Sequence, residues 1–358
     1  MRKLVILFGA LSVFWGSNVK ADETLSVAFQ EIERNYVEKV SLEQLSVIAL
    51  KSLKKMDKNI QVADGASRIT LYYNTKVFKN FNKPENNNLM DWVNLIDNIV
   101  AAYARISKKI ALRDYEVTDT MLKGVISSLD NDSKYYTAFD LADDEFERKR
   151  YFSSRRIGEI LYVRMSGFSD DVVNKFAEVL QQENIAQGLI LDLRGNSGGA
   201  LNAVVKIGNM LLDGGVMFES YGRDTTMNLL YEADKNDDFA EKPIVVLVDG
   251  NTASSAEILA GVLQEQSRAV LMGAQTYGKA TSQKIVALPN GSVLMLTNAY
   301  LSLPSGYEFF KKGLKPDYCL NNRVEFDINT KMQNCNKENR GEYDEDIDSA
   351  IEVIKMRI

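Results

Sequence analysis

Two apolar stripes at helical spacing open the chain. Leu25, Phe29, Ile32 and Tyr36 form one; Leu42, Leu45, Ile48, Ala49 and Leu53 form the other, so 24–57 is expected to be helical. Residues 60–82 lose that period. Ile69, Leu71 and Tyr73 alternate there, which predicts a strand or hairpin. Lys83-Pro84 and Asn86-Asn87-Asn88 mark a loop. Helical spacing returns over 89–129, through Trp92, Ile96, Ile99 and Tyr103 and then Met121, Leu122, Val125 and Leu129. The charged stretch 140–156 reads as a linker or a solvated helix.

From Ile157 the pattern changes to short apolar runs separated by helical segments. Strands are expected at Glu159–Met165, Gly188–Leu193, Pro243–Val248 and Ala269–Met272. Helices are expected at Asp171–Gln182, Leu201–Leu212 and Ala256–Gln264. This alternation predicts a partly parallel sheet covered by helices. Ile285–Leu288 and Val293–Ala299 flank Pro289-Asn290-Gly291, a hairpin signal. Asp344–Met356 closes the chain as an amphipathic helix with Ile347, Ile351 and Ile354 on one side.

The first 21 residues stand apart. Arg2 and Lys3 precede a nearly continuous apolar run, Leu4–Trp15, and Val19 and Ala21 follow at the spacing a signal peptidase accepts. The run is short for a bilayer span, which needs about 20 residues; an uncleaved anchor is the alternative. The expected organisation is a signal peptide at 1–21, a mostly helical region at 22–150, an α/β core at 151–320 and a C-terminal segment at 321–358 that ends in a helix. No later segment has the length and apolarity to span a membrane, so no span is expected after signal removal. The net charge of −6 excludes a basic nucleic-acid footprint.

Two residue counts sharpen the chemistry. Cys319 and Cys335 are the two cysteines. In an exported protein they form a disulfide, with about 3 kcal/mol of stabilisation in the chain-entropy picture, or they stay as two buried thiols. There is no histidine. Ser-His-Asp and Cys-His catalysis and His-Glu-x-x-His zinc sites are therefore excluded. A proton shuttle near neutral pH must use a carboxylate or a lysine whose pKa burial has lowered.

Three segments carry candidate chemistry. Asp249-Gly-Asn-Thr-Ala-Ser254-Ser-Ala-Glu257 joins a buried strand to a helix. A serine there sits beside the free N–H groups of the helix's first turn, which stabilise developing negative charge. Ser254-x-x-Glu257 is equally a capping box. Gly273-x-x-x-x-Gly278-Lys279 has the spacing of a phosphate-binding loop, but Ala280 stands where Ser or Thr should hold magnesium, and 283–288 reads as a strand. Asp192-Leu-Arg-Gly-Asn-Ser-Gly198-Gly199 is a tight turn after a buried strand, where glycine lets the backbone approach a neighbour closely. Without histidine, a neutral Lys279 is a candidate base for Ser254.

These segments closely resemble the C-terminal processing peptidases, or tail-specific proteases, over most of the chain. The resemblance implies a crotonase/ClpP-like α/β core with helical N-terminal material, 151–320 being a Ser-Lys protease core. It makes Ser254 the nucleophile, three residues before Glu257, and Lys279, 25 positions later, the base. It makes Gln283 the residue that orients the lysine. Backbone N–H groups of Ser255 and Gly199 would form the oxyanion hole. Gly222-Arg223-Asp224, Pro304-Ser305-Gly306, Gly313-Leu-Lys-Pro316-Asp317 and Val125–Asp130 match as well. Ser255-Ala256 replaces the family's Ala-Ser, and Gly-Lys-Ala its Gly-Lys-Gly. The family usually inserts a PDZ module, a binder of C-terminal tails, before the strand at Gly158–Met165, and about 25 residues are too few to hold one. The expected activity is an endopeptidase on exported proteins in the periplasm or another extracytoplasmic space, near their C-terminal tails, with no cofactor or metal. Its partners would be a protein or peptide substrate and an activating or adaptor protein in place of the PDZ domain. The competing expectation is a non-catalytic binding protein on the same scaffold.

Overall fold

The structure is a computed structural model that describes residues 21–112, 114–143, 152–235, 237–239, 242–320, 335–340 and 344–358. The expected signal segment up to residue 20, 144–151 of the charged stretch and 321–334 of the C-terminal segment lie outside the described residues. The chain divides into two units. One runs to Asp143 and takes in Lys284–Leu296; the other comprises Asp144–Gln283 and Thr297–Ile358.

In the first unit, helix α1 (Ala21–Asn35) buries Leu25, Phe29 and Ile32, and α2 (Leu42–Ser52) buries Leu42, Leu45 and Ala49. The expected single helical stretch is broken between them. Ser41 caps α2, its Oγ accepting from Gln44 N–H while Gln44 Oε1 accepts from Ser41 N–H, a reciprocal pair that fixes a new helix start. Strands β1 (Ile60–Asp64), β2 (Arg68–Tyr73) and β3 (Lys76–Asn82) form an antiparallel sheet in that order. Helices α3 (Leu89–Ala104), α4 (Lys108–Leu112) and α5 (Asp114–Ile126) follow, so this unit is largely helical. The helix pair α2–α5 closes tightly at Gly124, where a Cβ would stand 1.7 Å from Ser52 Oγ. Strand β4 (Lys134–Tyr136) and α6 (Ala138–Asp143) end the stretch.

In the second unit, β5 (Phe152–Ile157) is an exposed edge strand antiparallel to β6 (Ile160–Met165). The expectation of a linker or solvated helix over 140–156 is thus corrected at its end: β5 is exposed along most of its length and carries no apolar period to announce it. After β6 come α7 (Asp170–Gln182), β7 (Gly188–Asp192), α8 (Leu201–Asn209), β8 (Asp213–Tyr221), β9 (Leu229–Lys235), β10 (Ile244–Val248), α9 (Ser255–Glu265) and β11 (Ala269–Gly273). The hairpin β12 (Thr281–Ala287) and β13 (Val293–Ser302), of which Lys284–Leu296 counts with the first unit, the short β14 (Tyr318–Cys319) and α10 (Asp344–Lys355) complete the chain.

Strands β14, β11, β10, β7, β6 and β5 form one sheet, parallel except at β5. Strands β7, β10 and β11 are buried at every position, as a parallel sheet covered on both faces requires. One face packs on α7, α8 and α9 through Phe176, Val204, Ile207 and Leu259; the other packs on α10 through Ile347, Val353 and Ile354. A second, antiparallel sheet runs β12-β13-β8-β9. The crotonase/ClpP-like core expected from the resemblance does not describe this architecture. The apolar alternation specifies only the parallel layer, whereas β9 is exposed at most positions, so the antiparallel layer leaves little trace in the sequence.

Candidate active site

Three loops leave the same end of the parallel sheet. The register sets Asp192 beside Leu247 and Val248 beside Gly273. The turns after β7, β10 and β11 therefore emerge side by side at the carboxyl ends of their strands, where open α/β sheets place their ligands. They carry Gly199, Ser254 and Lys279.

Ser254 is half-exposed and holds φ +56°, ψ −124° at the β10–α9 junction. A non-glycine residue in such a region costs about 1–3 kcal/mol and persists only where its surroundings impose it. The surroundings are explicit. Ala253 N–H donates to Asn196 O (2.9 Å). Asp249 Oδ1 accepts from the N–H groups of Gly195, Asn251 and Thr252 at 2.9–3.1 Å. Ser254 N–H donates to Glu257 Oε2 (2.9 Å). Gly198 presses from the facing loop; a Cβ there would lie 2.9 Å from Ser254 Cβ, so that position admits only glycine.

Glu257 is fully buried and accepts four hydrogen bonds. Oε2 takes the N–H of Ser254 and of Lys279 (2.8 Å); Oε1 takes the N–H of Gly278 (2.7 Å) and the hydroxyl of Thr276 (2.5 Å). One carboxylate oxygen thus brings the backbones of Ser254 and Lys279 within two hydrogen-bond lengths of each other. Burial pushes the Glu257 carboxyl above its ordinary range, against the four donors that hold it down. Burial, and then the Glu257 charge, also pushes the nearby Tyr307 phenol up.

Gly199 runs beside Phe168 as a parallel bridge: Phe168 N–H donates to Gly198 O and Ala200 N–H to Phe168 O, both 3.1 Å. In that pairing the N–H and C=O of Gly199 face the opposite edge. Its C=O accepts from Ser255 Oγ (2.9 Å), which ties this edge to the start of α9. Ser255 N–H, the first of the helix, has no acceptor within it. Backbone N–H groups of this kind near a serine hydroxyl are suited to receive an oxyanion formed by attack on a carbonyl.

The remaining sequence-derived residues fall as follows. Lys279 is half-buried. Gln283 Nε2 donates to Thr281 Oγ1 (2.9 Å), two positions back on the same strand. Among the described residues, no hydrogen bond joins Lys279 Nζ to Ser254 Oγ or to Gln283. Cys319 and Cys335 are bonded, their Cα atoms 5.5 Å apart. The loop after β11 is no phosphate cradle, because its N–H groups are consumed internally: Ala274 by Val248 O, Gln275 by Asn336 O, Thr276 by Leu314 O, Tyr277 by Thr252 O, and Gly278 and Lys279 by Glu257. Among the described residues no cluster of acidic, histidine or cysteine side chains could hold a metal ion.

Sequence reasoning missed the support behind these loops. Arg194, fully buried, pairs with both oxygens of Asp192 (2.9 and 2.7 Å) and with Asp346 (2.9 Å), and Arg340 pairs with both oxygens of Asp346 (2.8 and 2.6 Å). Asn196 Oδ1 accepts from Gly198 N–H (2.8 Å) while its Nδ2 donates to Met165 O (3.0 Å), fixing the glycine turn. Arg194 and Asp346 are 152 residues apart, a pairing that a single sequence does not signal.

Residues 159–320 match the model of Peptidase family S41. A carboxy-terminal-processing protease of Bartonella bacilliformis is 34% identical over 166 residues, 45% of this chain and 38% of its own length. The chain thus spans little more than a third of the curated relatives it matches. Among solved structures, a photosystem II D1 C-terminal processing protease is 29% identical over 55% of this chain and 50% of its own, with a TM-score of 0.41. A lipoprotein from Streptococcus agalactiae shares the fold over 90% of this chain and 99% of its own, at 17% identity and a TM-score of 0.54. The similarity to the S41 family and to C-terminal-processing proteases lies over the core, residues 159–320. The crotonase/ClpP-like assignment is withdrawn in favour of the fold shared with the Streptococcus agalactiae lipoprotein. Among the described residues, no helix is long and apolar enough to cross a membrane.

Proposed function

We propose that the chain is a serine endopeptidase with Ser254 as nucleophile and Lys279 as general base, acting on exported proteins in an extracytoplasmic space. The observation that carries this reading is the backbone of Ser254, held at φ +56° beside the strand edge of Gly199 and on the same carboxylate oxygen as Lys279. In the reaction, Lys279 Nζ takes the Ser254 proton as Oγ bonds to the scissile carbonyl carbon. The oxygen, now negative, is received by the N–H groups of Gly199 and Ser255. Collapse breaks the C–N bond, and Lys279 returns its proton to the leaving amine. Water then attacks the acyl-enzyme; Lys279 takes the water's proton and returns one to Ser254 Oγ as the acid leaves. Lys279 Nζ closes on Ser254 Oγ when substrate binds, as catalytic hydrogen bonds often do. Gln283, which donates to Thr281 Oγ1 on the strand that follows Lys279, guides that closure. With no room for a PDZ module between Asp130 and β6, tail recognition falls to a partner protein or to the N-terminal helices.

The test is cleavage of casein by the wild type beside Ser254→Ala and Lys279→Ala, with mass spectrometry of the products and circular dichroism of all three. Loss of cleavage in both variants with intact folding supports the dyad. Cleavage that survives Ser254→Ala overturns it, and an inert wild type that still binds peptides favours the non-catalytic scaffold.

A further inference from the structure

The segment 335–340 lies against both loops of the site. Gly250 N–H donates to Glu338 O (2.6 Å) and Arg340 N–H to Asp249 Oδ2 (3.1 Å), which holds the Ser254 loop. Gln275 N–H donates to Asn336 O (3.2 Å), and Lys337 Nζ donates to Tyr277 O (2.7 Å) and Lys311 O (3.1 Å), which holds the Lys279 loop.

The two ends of this strap are anchored differently. At its C-terminal end the Arg340 guanidinium is buried against Asp346 and donates to Leu320 O (2.9 Å). At its other end the anchor is covalent. Cys335 is bonded to Cys319, which β14 seats beside Gly273 at the root of the Lys279 loop. Cys335 Sγ lies 3.6 Å from Gly273 O, a packing contact, since an oxidised sulfur has no proton to donate. Asn336 and Lys337 are exposed and Cys335 half-buried, and among the described residues this end is held by the disulfide and by the bonds to Gln275, Tyr277 and Lys311.

We propose that the Cys319–Cys335 disulfide is a redox switch that acts on the Lys279 loop and spares the Ser254 loop; this rests on the reading of Lys279 as the base. A dithiol supplies two electrons and two protons: the S–S bond breaks, both cysteines become thiols, and the dithiol closes to its own disulfide. Both sulfurs belong to half-buried residues, within reach of a small reductant. Release of Cys335 frees Asn336 and Lys337 from Gln275 and Tyr277. Glu338 to Arg340 stay in place through Asp346. The base is then misplaced while the nucleophile keeps its geometry. In a reducing compartment the enzyme is slack, and in an oxidising one it is set.

The full chain is compared oxidised and after dithiothreitol, by amide hydrogen exchange and by casein cleavage. Exchange at Gln275, whose N–H donates to Asn336 O, is expected to rise about tenfold on reduction, the loss of about one hydrogen bond, with Asn251 and Thr252 unchanged within twofold. The cleavage kcat is expected to fall about tenfold with KM held, and to recover on reoxidation. Cys319→Ser/Cys335→Ser should sit at the reduced values with or without dithiol. If that variant does not fold, Lys337→Ala, which keeps the disulfide but loosens the strap next to Asn336, should reproduce part of the rise at Gln275. Exchange at Gln275 that ignores reduction overturns the proposal, as does a loss of protection that extends equally to 249–254. A rise confined to the Lys279 loop in a protein that cleaves nothing supports the switch and overturns the proteolytic reading instead.

Discussion

Replacing Glu257 by glutamine changes one atom type and disturbs four hydrogen bonds. The carboxylate receives two donors on each oxygen. Glutamine keeps one acceptor oxygen and presents an NH₂ that only donates. The less costly orientation keeps the oxygen on Ser254 and Lys279 and turns the NH₂ toward Gly278 and Thr276. The Thr276 hydroxyl can rotate to accept, but the Gly278 N–H is left buried and unpaired. One orphaned buried donor costs about 1–3 kcal/mol, and loss of the charge weakens the two bonds that remain. The expected total is about 2–4 kcal/mol. For a unit of roughly 200 residues that lowers the melting temperature by about 5–15 °C. Cleavage should fall about 10²-fold, because the Lys279 loop shifts relative to Ser254. Differential scanning calorimetry and the casein assay read the two effects. A melting temperature within 1 °C of wild type would refute the assignment of Glu257 as the shared acceptor of both loops.

Two further predictions test the strain at Ser254 and a polar site in the first unit. Ser254→Gly should be more stable than Ser254→Ala by up to about 1 kcal/mol, since glycine relieves φ +56° while losing more entropy on folding; both should be inactive, and the order is read from paired thermal melts. For Asp57, burial alone would raise the carboxyl, but the bonds from Ser107 Oγ (2.7 Å) and Asn59 N–H (3.0 Å), with Lys109 nearby, hold it below 3.8. The unfolded chain then binds more protons than the native one between the two values, so this stability is present above pH 3.8 and is lost as pH falls through the depressed value. Asp57→Asn should flatten that part of an acid-unfolding curve, and an unchanged curve would count against it.

What the sequence discloses follows from where side chains point. The strands β7, β10 and β11 are buried on both faces, so a continuous apolar run announces each of them: Leu-Ile-Leu at 189–191, Ile-Val-Val-Leu-Val at 244–248 and Ala-Val-Leu-Met at 269–272. Strands β5 and β9 are exposed at most positions, leaving no alternation to find. The turn between β2 and β3 places Asn74 at φ +50° and Thr75 at φ +68°. A threonine is an unusual choice there, and without glycine the turn carried no clear mark. The break between α1 and α2 was marked, by Ser41 and Gln44 at capping-box spacing, but the two apolar stripes on either side both have helical spacing, so helix was expected across 24–57. Ser254, Lys279 and Gly199 were picked out through their motifs, and the charges of Asp192, Arg194 and Asp346 that buttress them were not. Their partners are set by the sheet register and by the return of the chain at α10, which local spacing does not encode.

The two sequence readings of Ser254-x-x-Glu257, helix cap and catalytic element, were posed as rivals, but under the proposed dyad one carboxylate serves both. A local view sees only the relation over three residues, which is the cap. The other three donors to Glu257 come from 19 to 22 residues farther along the chain, on the loop that ends in Lys279. The same carboxylate therefore closes the first turn of α9 and fixes the approach of the two loops. Capping holds Ser254 at the helix N-terminus, and the second set of bonds sets the lysine backbone against it. A substitution at Glu257 cannot be read as a test of the cap alone. Its effect on α9 is measured by the exchange of the helix amides, and its effect on the site by kcat. The two should separate, because Glu257→Gln can keep the bond to Ser254 while giving up the one to Gly278.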